Sequence, residues 1–429
     1  AGHTQRRSTR MSLLIKNARH LEAPVDLLVR HGKIVTMTPA GHHTYDSREV
    51  FDARGLVLMP SCIDAHVHLR EPGFEYKEDI ASGLEAAARG GFGAVMCMAN
   101  TKPVNDTASI TRAMLDSARK SHPNGPRLHP IAAATVGLKG EEMAPLAELK
   151  EAGCVAVSND GRPLDNAELV RRIMEYGADL NMVLIDHCED PQLAKGWRMH
   201  EGVTSGLLGV KGQPAAGEAN QAMRDIMLAE YLGVPVHIAH VSAALTVDCI
   251  AWGKARGVKV TAETCPHYLL LDETALEGYN TQAKVSPPLR TAADREALRR
   301  AVKNGTIDIL ATDHAPHAAH EKEGTLDDAM CGFTGLDLAV SLTWGLVAEG
   351  VLTEADVHRL WSRRPAEIFN LPCNGFTPGD PADFFLLDPD ETWVPGPENL
   401  YSKSCNTPFL GQTLRGRVKH HWIDGMQLF

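Results

Sequence analysis

The sequence predicts an α/β fold, a (β/α)₈ TIM-type barrel joined to a small β domain that both ends of the chain build. Three observations favour it: apolar strand candidates alternate with amphipathic helix candidates, eight such strands can be counted, and polar residues follow the apolar runs. The 429 residues, 44% of them hydrophobic, suffice for one large core and a smaller one.

The eight strand candidates lie between Cys62 and about Leu371, and most precede a segment whose apolar residues recur at three- and four-residue spacing. Since they are apolar at nearly every position, they are typical of buried parallel strands. The segments are DAHVH, GAVMCMANT, RLHPIAAAT, CVAVSND, NMVLIDHCE, PVHIAHVS, VKVTAETCP and IDILATDHAP. A doubly wound open sheet is the alternative, but no glycine-rich phosphate loop follows the first strand.

Short apolar runs separated by turns occupy both ends of the chain. Residues 11–60 contain SLLIKNA, VDLLVRHGKIVTM and GLVLMP, and residues 374–429 contain ADFFLLDP and RVKHHWIDGMQLF. Since strands from opposite ends can complete one sheet, we predict a composite β domain from these two segments and a barrel of residues 61–373. Residues 1–10 are polar and basic, and we expect a disordered leader there.

Composition excludes several classes of protein. The net charge of −11 comes without a lysine or arginine block, which disfavours a nucleic-acid partner. Nine scattered cysteines without a C-x-x-C pair are typical of reduced thiols in a cytosolic protein. No apolar run is long enough to cross a bilayer. We therefore expect a cytoplasmic protein that binds neither nucleic acid nor membrane.

A histidine pair at the end of the first predicted barrel strand indicates a metal site. Side chains at i and i+2 share a strand face, so the imidazoles of His66 and His68 can reach one ion. Other imidazoles and carboxylates end four further strands: Asp160, His187, His240 and Asp313. Barrel chemistry lies at these strand ends, and buried polar groups need compensation. We predict Zn²⁺, one or two ions per chain, at these six residues.

Two other histidines test the interpretation. His237 precedes His240 by three residues, an odd spacing that places it on the opposite strand face, so we predict a structural side chain that points toward the helices. His267 ends the seventh strand, and support of the site or plain packing is at least as good an interpretation as metal ligation.

Seven short motifs follow one another through the predicted barrel, and an eighth lies near the end of the chain. They are HVHLREPG, ANTKP, SNDG, HCE, HVS, PPLR, ATDHAPH and NTPF. This ordered set resembles the type I dihydroorotases, which are cyclic amidases of the amidohydrolase superfamily. The resemblance extends from about Met11 to the C-terminus.

The resemblance implies roles for particular residues. His66 and His68 would bind one metal ion and His187 and His240 a second, with Asp160 as the bridge and Asp313 as both ligand and catalytic acid/base. The implied substrate contacts are His68, Arg70, Asn100, Ser286, His317, Cys331 and Gly332. Hydantoinases and allantoinases use a carboxylated lysine on strand four as the bridge; CVAVSND has no lysine, which favours dihydroorotase over them.

The chain departs from the family pattern at three positions. Asn159 stands where a second aspartate is usual, Ala99 where proline is common, and Ser286 where asparagine precedes PPLR. Because serine is shorter than asparagine, the contact of Ser286 with substrate would pass through water or be lost. The polar segment from Ala318 to Asp328 is long enough to act as a lid, with a loop of no function as the alternative.

The implied reaction is the reversible conversion of N-carbamoyl-L-aspartate to (S)-dihydroorotate plus water, in de novo pyrimidine biosynthesis. The guanidinium of Arg70 suits the carboxylate of this anionic substrate. Two alternatives remain: another amidohydrolase, or an inactive scaffold for aspartate transcarbamoylase, which retention of all six ligands disfavours. We expect a homodimer from the prevalence of twofold oligomers, and association with aspartate transcarbamoylase stays open.

Overall fold

The computed structural model describes residues 12–42 and 45–429 and confirms the predicted barrel. Its strands are β1 (Ser12–His20), β2 (Ala23–Arg30), β3 (Lys33–Pro39), β4 (Glu49–Asp52), β5 (Val57–Pro60), β6 (Cys62–Val67), β7 (Phe92–Cys97), β8 (Arg127–Ala133), β9 (Ala156–Ser158), β10 (Leu184–Asp186), β11 (Met199–His200), β12 (Gly212–Gln213), β13 (Val236–Ile238), β14 (Val260–Thr264), β15 (Ile309–Leu310), β16 (Phe384–Trp393), β17 (Leu414–Ile423) and β18 (Met426–Gln427).

The barrel is one sheet of eight strands in the order β15-β14-β13-β10-β9-β8-β7-β6. Neighbouring strands are parallel, as between β7 and β8 or β13 and β14. A parallel bridge between Val67 and His314 connects the first and last strand regions and closes the ring. All eight strand candidates from the sequence occur in it.

Most of the helices cover the outside of the barrel. The helices of the described residues are α1 (Ile80–Arg89), α2 (Ala108–Ser121), α3 (Leu146–Ala152), α4 (Ala167–Asp179), α5 (Val203–Leu208), α6 (Ala215–Leu232), α7 (Ala244–Ala255), α8 (Pro266–Leu270), α9 (Ala292–Asn304), α10 (Ala319–Lys322), α11 (Ala339–Ala348), α12 (Glu354–His358) and α13 (Arg364–Phe369). Side-chain caps fix several starts; for example, Thr291 and Asp294 form a capping box at α9.

The strands are apolar on both faces because each face packs against a different layer. Inside the barrel lies a compact cluster: Ala65, Met96, Met98, Ile131, Ala156, Ile185, Ala239, Ile309 and Phe369. The opposite face packs against the helices, as at Val95, Val157, Leu184 and Ile238. Burial on both sides explains why these strands show no polar alternation.

The second sheet joins strands from both ends of the chain, in the order β18-β17-β16-β5-β1-β2-β3, with β4 paired to β1. β16 pairs antiparallel with both β5 and β17, so it connects the two segments. We retain 11–60 plus 374–429 and 61–373 as the proposed bounds of the two domains. The predicted leader, residues 1–10, lies outside the described residues.

Candidate metal centre and active site

The six predicted metal ligands lie at or just beyond the carboxyl ends of five barrel strands. β6 provides the first two, and β9, β10, β13 and β15 each lead into one more. All six side chains are buried: His66, His68, Asp160, His187, His240 and Asp313. The fold therefore collects polar groups from distant parts of the sequence in one small volume.

Asp160 is at the centre of this group. Its Oδ1 lies 3.5 Å from Nε2 of His66, 3.4 Å from Nδ1 of His187 and 3.3 Å from Nε2 of His240. Its Oδ2 lies 3.4 Å from Nε2 of His68. The carboxylate therefore contacts all four imidazoles, which is the geometry that a bridging ligand requires.

Asp313 contacts one side of the group. Its Oδ1 lies 3.3 Å from Nε2 of His66 and 3.2 Å from Nε2 of His68. The backbone is left-handed at Asp313 (φ 48°), at His240 (φ 29°) and at Arg70 (φ 63°). Such conformations are costly for residues other than glycine and concentrate at functional sites.

Hydrogen bonds to Nδ1 orient the rings of His66 and His68. Nδ1 of His66 lies 2.6 Å from Oε1 of Glu263, and Nδ1 of His68 lies 2.8 Å from Oδ1 of Asn100. Because carboxylate and amide oxygens only accept, each Nδ1 carries the proton, and each Nε2 faces the two aspartates. Metal-binding histidines are commonly oriented in this way.

Electrostatic interactions within the cluster favour the charged forms of His66 and Asp160. Burial opposes protonation of His66, but the carboxylates of Asp160, Asp313 and Glu263 outweigh it and raise the pKa of His66 well above its usual value. Burial would also raise the pKa of Asp160, yet the charge of His66 and hydrogen bonds from His187 and others hold that pKa well below its usual value. Burial opposes ionisation of Asp313 too, but the charge of His66 and a hydrogen bond from His68 lower its pKa, so both aspartates are ionised and able to bind a cation.

The donor set fits a divalent cation. Nε2 of His66 is buried and has no hydrogen-bond partner within residues 12–42 and 45–429, although it points at the two aspartates. The ligand atoms of each of three trios lie within 4.8 Å of one another: His66, His68 and Asp160; Asp160, His187 and His240; His66, His240 and Asp313. Two of the trios share Asp160, so these side chains could hold one metal ion or two.

Arg70 lies next to this group. Its side chain is buried, its Nε donates to the carbonyl oxygen of Pro316 at 3.1 Å, and its terminal nitrogen lies 3.4 Å from Nε2 of His317. No carboxylate in the described part of the chain forms an ion pair with Arg70. An anionic group that entered the site would therefore meet an arginine without a competing acidic partner.

His317, Cys331 and Gly332 belong to the loop of residues 315–332, which we call the 315–332 loop. Nε2 of His317 lies 2.9 Å from the carbonyl oxygen of Cys331. Burial and the charges of Arg70 and Lys77 lower the pKa of His317 to about 3, so its imidazole is neutral. Gly332 has φ 140°, and a Cβ there would lie 2.7 Å from Cβ of Ala315, so only glycine fits.

The other predicted substrate-binding residues differ in the hydrogen bonds that they already make within the protein. Asn100 uses its Oδ1 for His68, whereas no described residue hydrogen-bonds its Nδ2. Ser286 is half-buried, and its hydroxyl has no hydrogen bond to any described residue.

Asn159, which stands where a second aspartate is usual, points away from the cluster. Its Oδ1 accepts from Thr135 at 2.7 Å, and its Nδ2 donates to the carbonyl oxygens of Leu138 and Arg162. That asparagine therefore connects the turn after Asp160 to the segment that follows β8.

The predicted orientation of His237 is wrong. Its Nε2 lies 3.0 Å from Oε2 of Glu263, and its ring packs against Phe369 in the inner core of the barrel. β13 ends at Ile238, and the left-handed backbone at His240 breaks the alternation. As a result, His237 and His240 both point into the barrel despite their odd spacing.

Sequence reasoning missed Glu263, although a signal existed. It is the one acidic residue in the apolar strand β14, and its side chain is fully buried. His267 packs against the rings of Tyr268 and Phe333 and lies in the short helix α8. These contacts support a packing role, although its buried Nε2 has no hydrogen-bond partner within the described residues.

A second buried cluster lies on the far side of His187. The side chains of Asp186, Cys188 and Asp225 are close enough to hold a metal ion, but Arg224 already contacts both carboxylates. Its terminal nitrogen lies 2.7 Å from Asp225 and 3.3 Å from Asp186. We therefore interpret this cluster as an internal ion-pair network.

None of the helices in the described ranges combines the length and apolar character needed to cross a membrane.

Comparisons with known proteins agree with the resemblance. The family model described as dihydro-orotase-like matches residues 55–245. A dihydroorotase of Syntrophus aciditrophicus is 44% identical over 412 residues, covering 96% of each chain. A dihydroorotase of Pelotomaculum thermopropionicum is 46% identical over 415 residues, covering 95% of this chain and 96% of that protein.

Solved structures share the fold at lower identity. The L-hydantoinase of Arthrobacter aurescens superposes with a TM-score of 0.86 at 22% identity, covering 97% of this chain and 96% of that one. The dihydropyrimidinase of Brevibacillus agri gives a TM-score of 0.78 at 23% identity, with 97% and 95% covered. These structures support the architecture, and the full-length relatives identify the family. The chain belongs to the dihydroorotase family.

Proposed function

We propose that the protein is a metal-dependent dihydroorotase that interconverts N-carbamoyl-L-aspartate and (S)-dihydroorotate plus water. Its relatives support the reaction, and the buried cluster of histidines and aspartates supports its dependence on metal. The observation that carries the choice of substrate is Arg70, a buried guanidinium beside the cluster without a carboxylate partner in the described residues. A neutral cyclic amide would leave Arg70 without an ion-pair partner.

The proposed ligands are His66, His68 and Asp160 for one ion, and Asp160, His187 and His240 for a second. Imidazole and carboxylate donors suit Zn²⁺. When bound, the cation supplies a Lewis acid for the ring carbonyl and a water nucleophile that ionises near neutral pH.

Asp313 is the proposed acid/base. Its Oδ1 faces His66 and His68, whereas no hydrogen bond from the described residues reaches Oδ2. The carboxylate takes the proton of the attacking water and transfers it to the ring nitrogen as the bond from that nitrogen to the carbonyl carbon breaks. The ring opens to N-carbamoyl aspartate, and cyclisation reverses each proton transfer.

Substrate orientation is assigned to side chains around the cluster. Arg70 offers a planar pair of donors to the substrate carboxylate. Nδ2 of Asn100 is available for a ring carbonyl, because its Oδ1 is already used by His68. Because the imidazole of His317 is neutral, it lies beside Arg70 without repelling the guanidinium.

A substrate panel tests the proposed specificity. The purified protein is incubated with dihydroorotate, dihydrouracil, hydantoin and allantoin, and ring opening is followed by chromatography. We expect turnover of dihydroorotate at least a hundredfold above the three neutral amides. Faster turnover of a neutral amide would favour a hydantoinase or allantoinase, and an inert protein would favour a scaffold for aspartate transcarbamoylase.

We also propose a homodimer in the cytoplasm. The scattered thiols support a reducing compartment, because none of the nine cysteines is paired. Light scattering with and without aspartate transcarbamoylase measures both the self-association and the second partnership.

A further inference from the structure

Glu263 lies within β14, inside the barrel and next to the metal cluster. Its carboxylate is fully buried and contacts histidines from two other strands. Oε1 lies 2.6 Å from Nδ1 of His66, and Oε2 lies 3.0 Å from Nε2 of His237. Burial of an unpaired carboxylate destabilises the folded state, and the hydrogen bonds from these two imidazoles offset that cost for Glu263.

The same carboxylate also contacts His240, a proposed ligand of the second metal ion. The backbone N–H of His240 donates to Oε1 of Glu263 at 3.3 Å. His240 has φ 29°, a conformation that needs support from its surroundings. One acidic side chain therefore contacts a proposed ligand of each metal ion: His66 through its ring and His240 through its backbone.

His237 in turn fixes the carboxylate. Its Nδ1 lies 2.8 Å from Oγ1 of Thr261, and its ring packs edge-on against Phe369 at 5.3 Å. Because a carboxylate oxygen only accepts, Nε2 of His237 carries the proton and donates to Glu263, and Nδ1 accepts from the hydroxyl of Thr261. This contact holds the carboxylate in its orientation toward His66.

We propose that Glu263, held by His237, is the residue that positions His66 and His240 for metal binding. This inference rests on the proposed function, since it assumes that the cluster binds metal. Glu263 touches no substrate and is not a catalytic residue; it acts by fixing the Nδ1 proton of His66 and the backbone of His240. Loss of such supporting contacts typically weakens metal binding by about 10- to 100-fold.

The test measures Zn²⁺ binding directly, by competition with a chromophoric chelator, in metal-free protein. For Glu263→Ala we expect the Zn²⁺ dissociation constant to rise by about 100-fold, and for Glu263→Gln by about 10-fold, because an amide oxygen can still accept from His66. His237→Ala removes one support of the Glu263 carboxylate but keeps the carboxylate itself, so we expect the smallest rise in the dissociation constant. The visible spectrum of bound Co²⁺ should shift in the same order.

The matched control is Glu354→Gln. Glu354 is also a buried glutamate with two partners, accepting from Arg19 at 2.8 Å and from the backbone of Leu21 at 2.9 Å, but it contacts none of the six proposed ligands. Its Zn²⁺ affinity should equal that of the wild type. Comparison of melting temperatures of the metal-free proteins separates an altered site from an altered fold.

The outcomes separate this inference from the proposed function. Wild-type protein that binds no Zn²⁺ would overturn the proposed metal centre. Wild-type protein that binds Zn²⁺, with Glu263→Gln and Glu263→Ala within twofold of it, would overturn only the role of Glu263. If Glu263→Ala does not fold, Glu263→Gln decides alone, by its affinity and its Co²⁺ spectrum.

Discussion

The metal cluster and the 315–332 loop lie side by side but are held in different ways. Each member of the cluster lies at or within three residues of a strand end, and Asp160 contacts four imidazoles from three other strands. The 315–332 loop contains no strand and only one helical turn, α10. Its contacts are mostly to backbone atoms.

Two buried lysines and one asparagine hold the loop. Nζ of Lys322 donates to the carbonyl oxygens of Met330 at 2.8 Å and of Lys284 at 3.0 Å. Nζ of Lys284 donates to the carbonyl oxygens of Leu326 and Ala329 at 2.5 and 2.7 Å. Asn406, from the NTPF motif, accepts from the backbone N–H of His317 at 2.9 Å.

This difference predicts which property a substitution should change in each region. Cluster positions are set by the barrel, so we expect a substitution there to act on chemistry or on metal binding. The 315–332 loop is held by donors that reach backbone carbonyls, so we expect a substitution there to act on substrate binding and local stability. Four substitutions test this division: one in the cluster, one in the 315–332 loop, and two at predicted substrate contacts outside both, Arg70 and Ser286.

The largest effect is expected for Asp313→Asn. The amide keeps the shape of the side chain but cannot take a proton, so turnover should fall by about 10²- to 10⁴-fold. Steady-state kinetics and elemental analysis of the same sample measure activity and metal content. Near-normal turnover would remove Asp313 from its assigned role.

The next largest effect is expected for Arg70→Lys. A lysine keeps the charge but loses the planar pair of donors, so KM for dihydroorotate should rise about 10- to 100-fold with little change in bound metal. Initial rates over a range of substrate concentration give KM and kcat separately. Arg172→Lys, on the exposed face of α4, is the control, and an unchanged KM for Arg70→Lys would contradict the assignment.

A smaller effect on activity, with a distinctive pH dependence, is expected for Lys322→Met. Burial lowers the pKa of Lys322 from 10.5 to about 8. The buried charge therefore opposes folding below pH 8, and this penalty disappears as the pH rises toward 10.5. Relative to the variant, the free energy of unfolding of the wild type should gain about 3 kcal/mol over that range.

Urea unfolding of both proteins at pH 7, 9 and 10 measures this difference. We expect KM for Lys322→Met to rise less than tenfold, because the 315–332 loop loses donors while the cluster is untouched. Lys120→Met, at the exposed end of α2, controls for general charge effects. A stability difference that does not vary with pH would show that Lys322 does not titrate near pH 8.

The smallest effect is expected for Ser286→Asn. The hydroxyl of Ser286 has no hydrogen bond to a described residue, and a longer amide would reach further toward the substrate. KM should stay equal or fall, by about threefold at most, with kcat unchanged. Ser109→Asn, on the exposed surface of α2, is the control. A large loss of activity would mean that this chain depends on the serine itself.

The same division separates what the sequence could predict from what it could not. The eight strands and the residues that end them could be predicted, because burial on both faces produces apolar runs and the polar residues stand out at their ends. The orientation of His237 was predicted wrongly because the left-handed backbone at His240 interrupts the two-residue alternation of the strand. No local sequence pattern indicates that interruption. Glu263 was visible as a lone acid in an apolar strand, but its partners come from β6 and β13, far away in sequence.

The support of the 315–332 loop could not be predicted at all. Lysines in a polar segment such as HEKEGTLDD are normally solvated, and only the fold shows that Lys322 is 1% exposed and surrounded by carbonyl oxygens. The lid function of residues 318–328 stays a prediction.

The central claim is that the cluster of four histidines and two aspartates is a metal centre that hydrolyses dihydroorotate. The most direct measurement is ring opening of dihydroorotate by chelator-treated protein as Zn²⁺ is added back in known molar ratio. We predict no turnover without metal, and recovery that saturates at one or two Zn²⁺ per chain. Turnover that survives complete removal of metal, or no turnover at any Zn²⁺ ratio, would contradict the account.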